Sequence, residues 1–292
     1  MKLNIVVATY NRSANLRDLL EGLLRCETSS SCDWDVIVVD NNSKDATREI
    51  VKEFGERDPE HFKYLFEGKK GKAYALNLGI RKSSGDVVVF TDDDCIPDAH
   101  WIENIAREFS SRADLGVLGG RIELYDPRDL PITIRTSRER LVLSNGAGVF
   151  SFIAGCNMAI RREVLQRVGP FDTKLGPGSP KDTVADDPDY VYRAFRSGAK
   201  VEYVPDILVH HNHGRRSDLD AQNLKRKYLR GRGAFYAKHI LRGDRTVLKM
   251  AYWELRPLIL AAFARRGPSE SVRIQRESLR HLLAGMASRV LP

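Results

Sequence analysis

The sequence predicts an α/β fold: a mostly parallel sheet flanked by helices, continued by a basic helical C-terminal extension. Three observations predict it. Short apolar runs rich in β-branched residues alternate with helical patterns up to residue 122, the pattern of parallel strands covered on both faces. Hydrophobic residues make up 42 % of the 292 and mix with charge in ordinary globular proportions, which excludes disordered and low-complexity chains. Charge is divided unevenly: residues 1–214 carry 29 basic and 33 acidic side chains, residues 215–292 carry 18 and 6. The net charge of +8 therefore resides in the last 78 residues, and we divide the chain there, with 1–122 and 123–214 as two halves of the first part.

Strands are expected at Leu3 to Ala8, Asp35 to Val39, Phe62 to Phe66, Asp86 to Thr91 and Leu115 to Arg121, each bounded by turn formers. Helices are expected at Asn15 to Cys26, where five leucines share a face, at Asp45 to Phe54 and at Lys72 to Lys82. Beyond residue 122 the alternation breaks. Leu124 to Arg140 and Phe171 to Val184 read as loops, Glu163 to Val168 as a short helix, and Val149 to Ile160 as an apolar segment around Gly155-Cys156-Asn157. From Asp218 the chain reads as helical, with breaks near Gly243, Pro257 and Gly267-Pro268. The longest apolar run there, Leu258 to Ala264, is far short of a bilayer span, and Ile5 to Ala8 is too short for a signal-peptide core. Four cysteines without C-x-x-C spacing indicate neither a zinc ribbon nor a disulfide framework. A cytoplasmic location is the expectation.

Ligands of parallel α/β sheets bind beyond the carboxyl ends of the strands. Those ends carry Thr9-Tyr10-Asn11-Arg12, Asp40-Asn41-Asn42-Ser43 and Asp92-Asp93-Asp94. No G-x-G-x-x-G or P-loop follows a strand, so phosphates must be held another way. An acidic triplet is commonly a solvated turn, but this one directly follows the buried run Val87 to Phe90. Strand alternation predicts Asp92 and Asp94 on one side and Asp93 on the other, and two converging carboxylates call for a cation such as Mg²⁺ or Mn²⁺. Asp186-Asp187-Pro188-Asp189 precedes a helical pattern, Tyr190 to Arg196. Acids at a helix start serve as caps, or one of them faces a reaction centre as a general base. His210, His211 and His213 read as metal ligands or as surface and phosphate-contacting groups.

In this order the motifs resemble the family 2 glycosyltransferases, which have the GT-A fold, over about residues 3 to 215. The resemblance rests on Val6-Val7-Ala8-Thr9-Tyr10-Asn11-Arg12, Val38 to Asp45, Gly71-Lys72-Ala73 with Ala75 to Gly79, and Gly85 to Asp94. It continues through Gly155 to Arg162, Gly169-Pro170-Phe171-Asp172, Asp186-Asp187 with Arg193, and Pro205 with His211. It implies a nucleotide-sugar-binding half (1–122) and an acceptor-binding half (123–214). Thr9, Tyr10, Asn11, Arg12, Asp40, Asn42, Lys72, Asp92 and Asp93 would border the nucleotide. Asp94, with Asp92 and His211, would hold Mn²⁺ or Mg²⁺. Asp187 would be the general base, Asp186 standing where the family more often has Glu, and Gly155, Cys156 and Asn157 would meet the acceptor. The implied reaction is transfer of one sugar, with inversion, from a nucleotide sugar, a UDP-sugar by expectation, to a hydroxyl of a glycan or lipid-linked acceptor.

Polymerising relatives carry Q-x-x-R-W and several spanning helices; here Gln222 is followed by Lys225 and no Trp, so single additions are expected. The extension, with Lys225-Arg226-Lys227, Arg230, Arg232 and Arg265-Arg266, either packs on the catalytic domain or lies on an anionic membrane. Its last helix, Val272 to Val290, is expected to show Val272, Leu279, Leu282, Leu283, Met286 and Val290 on one side. A nucleotidyltransferase would show a glycine-rich basic loop after strand one, and a nucleic-acid binder a recognisable motif; the chain has neither, and no nucleic-acid partner is expected. A sugar-nucleotide binder without activity would not need all of Asp92, Asp94 and Asp187. Oligomeric state is open.

Overall fold

The computed structural model describes residues 1–263 and 270–290. The first strands and helices form where expected: β1 (Lys2–Thr9), α1 (Ser13–Leu24), β2 (Asp33–Asp40), α2 (Thr47–Arg57), β3 (Phe62–Phe66), α3 (Lys72–Lys82) and β4 (Val87–Asp92). Their runs of Val, Ile and Leu are buried on both faces, so the hydrophobic effect drives the parallel layer. After β4 come β5 (Cys95–Pro97), α4 (Trp101–Ser111), β6 (Leu115–Leu124), β7 (Leu141–Val142), β8 (Asn157–Arg161), α5 (Arg162–Val168), α6 (Asp186–Arg196) and β9 (Lys200–His211). The extension folds as α7 (Asp218–Ile240), α8 (Arg245–Phe263) and α9 (Glu270–Val290).

The sheet order is β3-β2-β1-β4-β8-β6-β9-β5, with β7 beside β9. β3, β2, β1 and β4 are parallel, β8 runs antiparallel between β4 and β6, and β5 is antiparallel to β9. In β9, Val204 pairs with Gly120 but Leu208 with Arg121; the irregularity absorbs Pro205, which has no N–H to give a ladder.

The extension departs from two expectations. α8 runs through Pro257 without a break, whereas the chain does turn at Gly243 (φ 78°). The expected break at Gly267-Pro268 and the pair Arg265-Arg266 lie outside the described residues. On α9, Leu282 and Gly285 are buried while Leu283 and Val290 are exposed. The contact is set by close backbone approach rather than by the predicted apolar stripe: a Cβ on Gly285 would stand 1.9 Å from the Arg230 carbonyl oxygen, and one on Gly233 would stand 2.0 Å from that of Leu282. α7 in turn is fastened to α6. Buried Lys238 and His239 reach the fully buried Asp189 at 2.7 and 2.9 Å, and Arg193 completes its neutralisation at 2.9 Å.

Candidate active site

Register brings the strand ends together, Thr9 opposite Asp40 and Ala8 opposite Asp92. Side-chain amides then tie the loops beyond them. Asn11, in the left-handed region at φ 53°, accepts from the Lys44 N–H at 2.7 Å, and its own N–H donates to Ser43 Oγ at 2.9 Å. Asn41 donates to the carbonyls of Glu67 and Lys69 and accepts from the Gly71 N–H. Asn42 (φ 71°) donates to the carbonyls of Glu67 and Gly68. The Asn42 amide thus braces the loop after β3 instead of standing free for a nucleotide. Asp40 is buried and accepts from the Ser43 N–H and the Tyr64 hydroxyl. Tyr10 is exposed, with the Lys70 ammonium 5.8 Å from its ring centroid.

The acidic triplet does not follow strand alternation. β4 ends at Asp92 and the chain turns at once, so Asp93 and Asp94 both meet the Arg12 guanidinium, Asp93 at 3.5 Å. Asp92 turns instead to Lys72. Each acid of the triplet therefore already has a cation, and Arg12 and Lys72 balance these carboxylates, a role beyond the nucleotide contact expected of them. Burial pushes the Asp93 carboxyl up to about 7, against the pull of Arg12. Burial acts likewise on Asp94, but His211, 3.3 Å away, and Arg12 outweigh it and hold this carboxyl well below its usual range. Burial opposes charge on His211, yet its bond to Asp94 lifts the ring to about 9. The Asp94 carboxylate suits Mn²⁺ or Mg²⁺, and the His211 imidazole favours a transition-metal ion over Mg²⁺. Asp94 and His211 fit such an ion; Asp92 is paired with Lys72.

Opposite lies the first turn of α6, where Asp186 and Asp187 are helical residues rather than a preceding cap. Asp186 is buried beneath Gly176, whose φ of 93° and closeness (a Cβ would meet the carboxyl carbon at 2.8 Å) leave room only for glycine. Asp187 is half-buried; one oxygen accepts from the Gly155 N–H at 2.9 Å. Burial, then the charge of Asp186, pushes the Asp187 carboxyl up to about 7, while Gly155 and Lys72 pull against the rise. Lys72, though buried, is held charged by Asp92, Asp186 and Asp187, and so links the two acidic groups.

Asn157 is a correction to the acceptor-site expectation. It is 1 % exposed, accepts from Trp101 Nε1 and donates to the carbonyls of Arg121 and Ile207, all at 2.9 Å. It fastens β8 to β6, β9 and α4, and nothing remains for a ligand. Asn157→Ala is expected to cost about 3 kcal/mol of stability by orphaning those three partners, read by denaturant unfolding, with acceptor KM unchanged in the folded protein. Cys156 is buried also, and only Gly155, through its backbone, faces an active-site acid. Sequence reading passed over Asn41, Tyr64, Gly176 and Thr133, whose hydroxyl lies 3.2 Å from His211 Nδ1. The adjacency of Asn41 to Asp40 was the one available signal.

A parallel half-sheet continued by a mixed half, with carboxylates at the strand ends and at the start of α6, is the GT-A architecture. Residues 4–169 match the family described as Glycosyl transferase family 2, and residues 87–288 match Glycosyl transferase family group 2. The chain belongs to glycosyl transferase family 2. It is 27 % identical over 257 residues to Glycosyltransferase AglE of Haloferax volcanii, covering 86 % of this chain and 79 % of that one. It spans about half the length of other curated relatives it matches. In fold it is similar to the mannosyltransferase PcManGT from Pyrobaculum calidifontis, solved with GDP-Man and Mn2+ (TM-score 0.67, 20 % identity, 99 % of this chain and 87 % of that one). TarS 1-349 of S. aureus with UDP-GlcNAc is similar too (TM-score 0.68, 18 % identity, 99 % and 81 %).

Proposed function

We propose that this glycosyltransferase moves one sugar, with inversion, from a nucleoside diphosphate sugar, a UDP-sugar in the first instance, to a hydroxyl of a glycan or lipid-linked acceptor. The observation that carries this reading is the meeting of two acidic groups: Lys72 pairs with Asp92 at the end of β4 and is held charged by Asp186 and Asp187 of α6 as well, while Asp94, two residues past Asp92, faces His211. Asp94 and His211 are the residues that would hold a divalent cation. When bound, that ion supplies charge neutralisation at the donor diphosphate. Thr9, Tyr10 and Asp40 lie where the strand ends would meet base and ribose.

Asp187 acts as the base. Its second oxygen is free of the Gly155 bond, and its raised affinity for a proton matches the task of drawing one from an attacking hydroxyl near neutral pH. Attack from the face opposite the departing diphosphate inverts the anomeric carbon and needs no covalent intermediate. The α6 N-terminus lets Asp186 stay buried behind it, where it raises the basicity of Asp187 without contacting the acceptor. Incubation with a panel of UDP- and GDP-sugars, Mn²⁺ and candidate acceptors, reading nucleoside diphosphate release, tests the reading; Asp94→Ala protein is the blank. Release that is equal in wild type and variant contradicts it.

The extension favours contact with an anionic membrane surface. α8 exposes Leu248, Tyr252, Trp253, Ile259 and Leu260 together with Arg245, Lys249 and Arg256. Its one acid, Glu254, turns inward to Arg232 and the Tyr236 hydroxyl, so the outer face is apolar and basic only. No helix among the described residues is long and apolar enough to cross a membrane. Interfacial helices bind by such a combination of apolar area and attraction to anionic lipid. Co-sedimentation with vesicles containing anionic lipid is expected for the wild type and to fall at least tenfold in Tyr252→Ser/Trp253→Ser; equal binding by both contradicts the assignment.

A further inference from the structure

Beside Asp94 lie two buried thiols that the transfer reaction does not use, grouped with the imidazole of His211. Cys95 on β5 pairs across the sheet with His211 on β9, and Cys156 is the residue before β8. Each of Cys95, Cys156 and His211 offers one ligand atom, and these three atoms lie within 4.8 Å of one another. All three side chains are buried, Cys95 completely, and the cysteines are free thiols. Asp94 Oδ1 stands 3.3 Å from His211 Nε2, beside the cluster.

Two thiolates and one imidazole, with the carboxylate of Asp94 brought over from beside His211 as the fourth donor, form a donor set for Zn²⁺, whose bonds of about 2.3 Å to sulfur and about 2.0 Å to nitrogen set ligand separations of roughly 3.5 to 3.8 Å in a tetrahedron. The cluster meets that spacing with small side-chain shifts. Hard cations such as Mg²⁺ and Mn²⁺ prefer oxygen and take thiolate poorly, so the sulfur pair selects a different metal from the one suited to Asp94 and His211 alone.

We propose that Cys95, Cys156 and His211 form a soft-metal site for Zn²⁺ that shares His211 and Asp94 with the donor-side cation. Binding displaces the two thiol protons to solvent and takes the imidazole neutral. The two ions then compete for one histidine, and zinc switches transfer off. The zinc site stands on the geometry of the cluster; the inhibition rests on the reading of Asp94 and His211 as the ligands of the donor-side cation.

The test uses the full chain, stripped of metal by chelation and kept reduced by a phosphine. Titration with Co²⁺ is expected to give one equivalent of binding, with near-ultraviolet sulfur-to-cobalt charge transfer and tetrahedral visible bands, both bleached by one equivalent of Zn²⁺. Cys95→Ala, at a position with no part in transfer, is expected to lose the charge-transfer band and keep Mn²⁺-dependent activity, its melting profile reporting that it folds. In the wild type one equivalent of Zn²⁺ is expected to lower transfer in excess Mn²⁺ by at least tenfold, with Cys95→Ala resistant. Absence of the thiolate band in the wild type, or its survival in Cys95→Ala, overturns the site. A band without inhibition overturns the sharing of His211 and Asp94 while leaving the cysteine site standing.

Discussion

Replacing Asp187 by Asn is expected to lower turnover by about 10²–10⁴-fold, the range a positioned general base supplies, and to leave donor binding unchanged. The variant is close to isosteric, and its amide oxygen can still accept from the Gly155 N–H, so fold and loop position are kept. What is lost is the acceptor of the hydroxyl proton. The wild-type pH profile provides a second reading of the same group. Burial and Asp186 raise the Asp187 carboxyl to about 7, so the basic form is populated above that pH and protonated below it. Turnover is therefore expected to rise tenfold per unit through the acid limb and level off near neutrality, and the residual activity of Asp187→Asn to lack that limb. Turnover within threefold of wild type in the variant would remove Asp187 from this role and return attention to Asp186.

Asp94→Ala is expected to have an effect of about a thousandfold on transfer, corresponding to the several kcal/mol a bound cation contributes at a developing phosphate charge. Its signature differs from that of Asp187→Asn: donor binding should fall too, and cease to depend on Mn²⁺. The substitution also deprives His211 of the partner that keeps it charged, since burial alone lowers its affinity for a proton. Arg12 would retain only Asp93, so the electrostatic arrangement at the ends of β1 and β4 changes as a unit, and the Asp94→Ala and His211→Ala effects are expected to be less than additive. Independent, additive effects would mean that the two residues do not act on one ion.

The parallel half of the sheet was legible because its inner strands β1, β2 and β4 are almost wholly buried. Val36 to Val39 or Val87 to Phe90 can be little else when turn formers bound them and helical patterns intervene. The antiparallel half was not. β8 is five residues long and its partners, β4 and β6, lie far away in sequence. β9 contains Pro205 and Asp206, which read as a strand end until a register shift on β6 accommodates them. α4 could have been read: Trp101, Ile102, Ile105, Ala106 and Phe109 recur at helical spacing and are all buried.

At the site, residue types were legible and pairings were not. Three consecutive aspartates at a strand end announce a place for positive charge, but which cation meets which acid depends on where β4 stops. It stops two residues short of Asp94, and Asp93 joins Asp94 on Arg12. Asn157 shows the opposite failure. A polar residue in a segment expected to meet the acceptor was read as a ligand contact, whereas burial consumes all of its hydrogen-bonding capacity inside the fold. The basic extension likewise divides in three dimensions: part of its charge neutralises Asp189 and Asp172 inside the protein, and part remains on the outer face of α8.

The central claim is that the cleft between Asp94 and Asp187 binds a nucleoside diphosphate together with a divalent cation. Thermal unfolding with UDP, GDP and other nucleoside diphosphates, each with and without Mn²⁺, tests it most directly. At about 100 times its dissociation constant a ligand adds roughly 2.7 kcal/mol, a readily measured rise in melting temperature. We expect one nucleoside diphosphate to stabilise the wild type in the presence of Mn²⁺, and the rise to vanish without the metal or in Asp94→Ala while persisting in Asp187→Asn. No stabilisation by any nucleotide, or stabilisation indifferent to both Mn²⁺ and Asp94, would contradict the account.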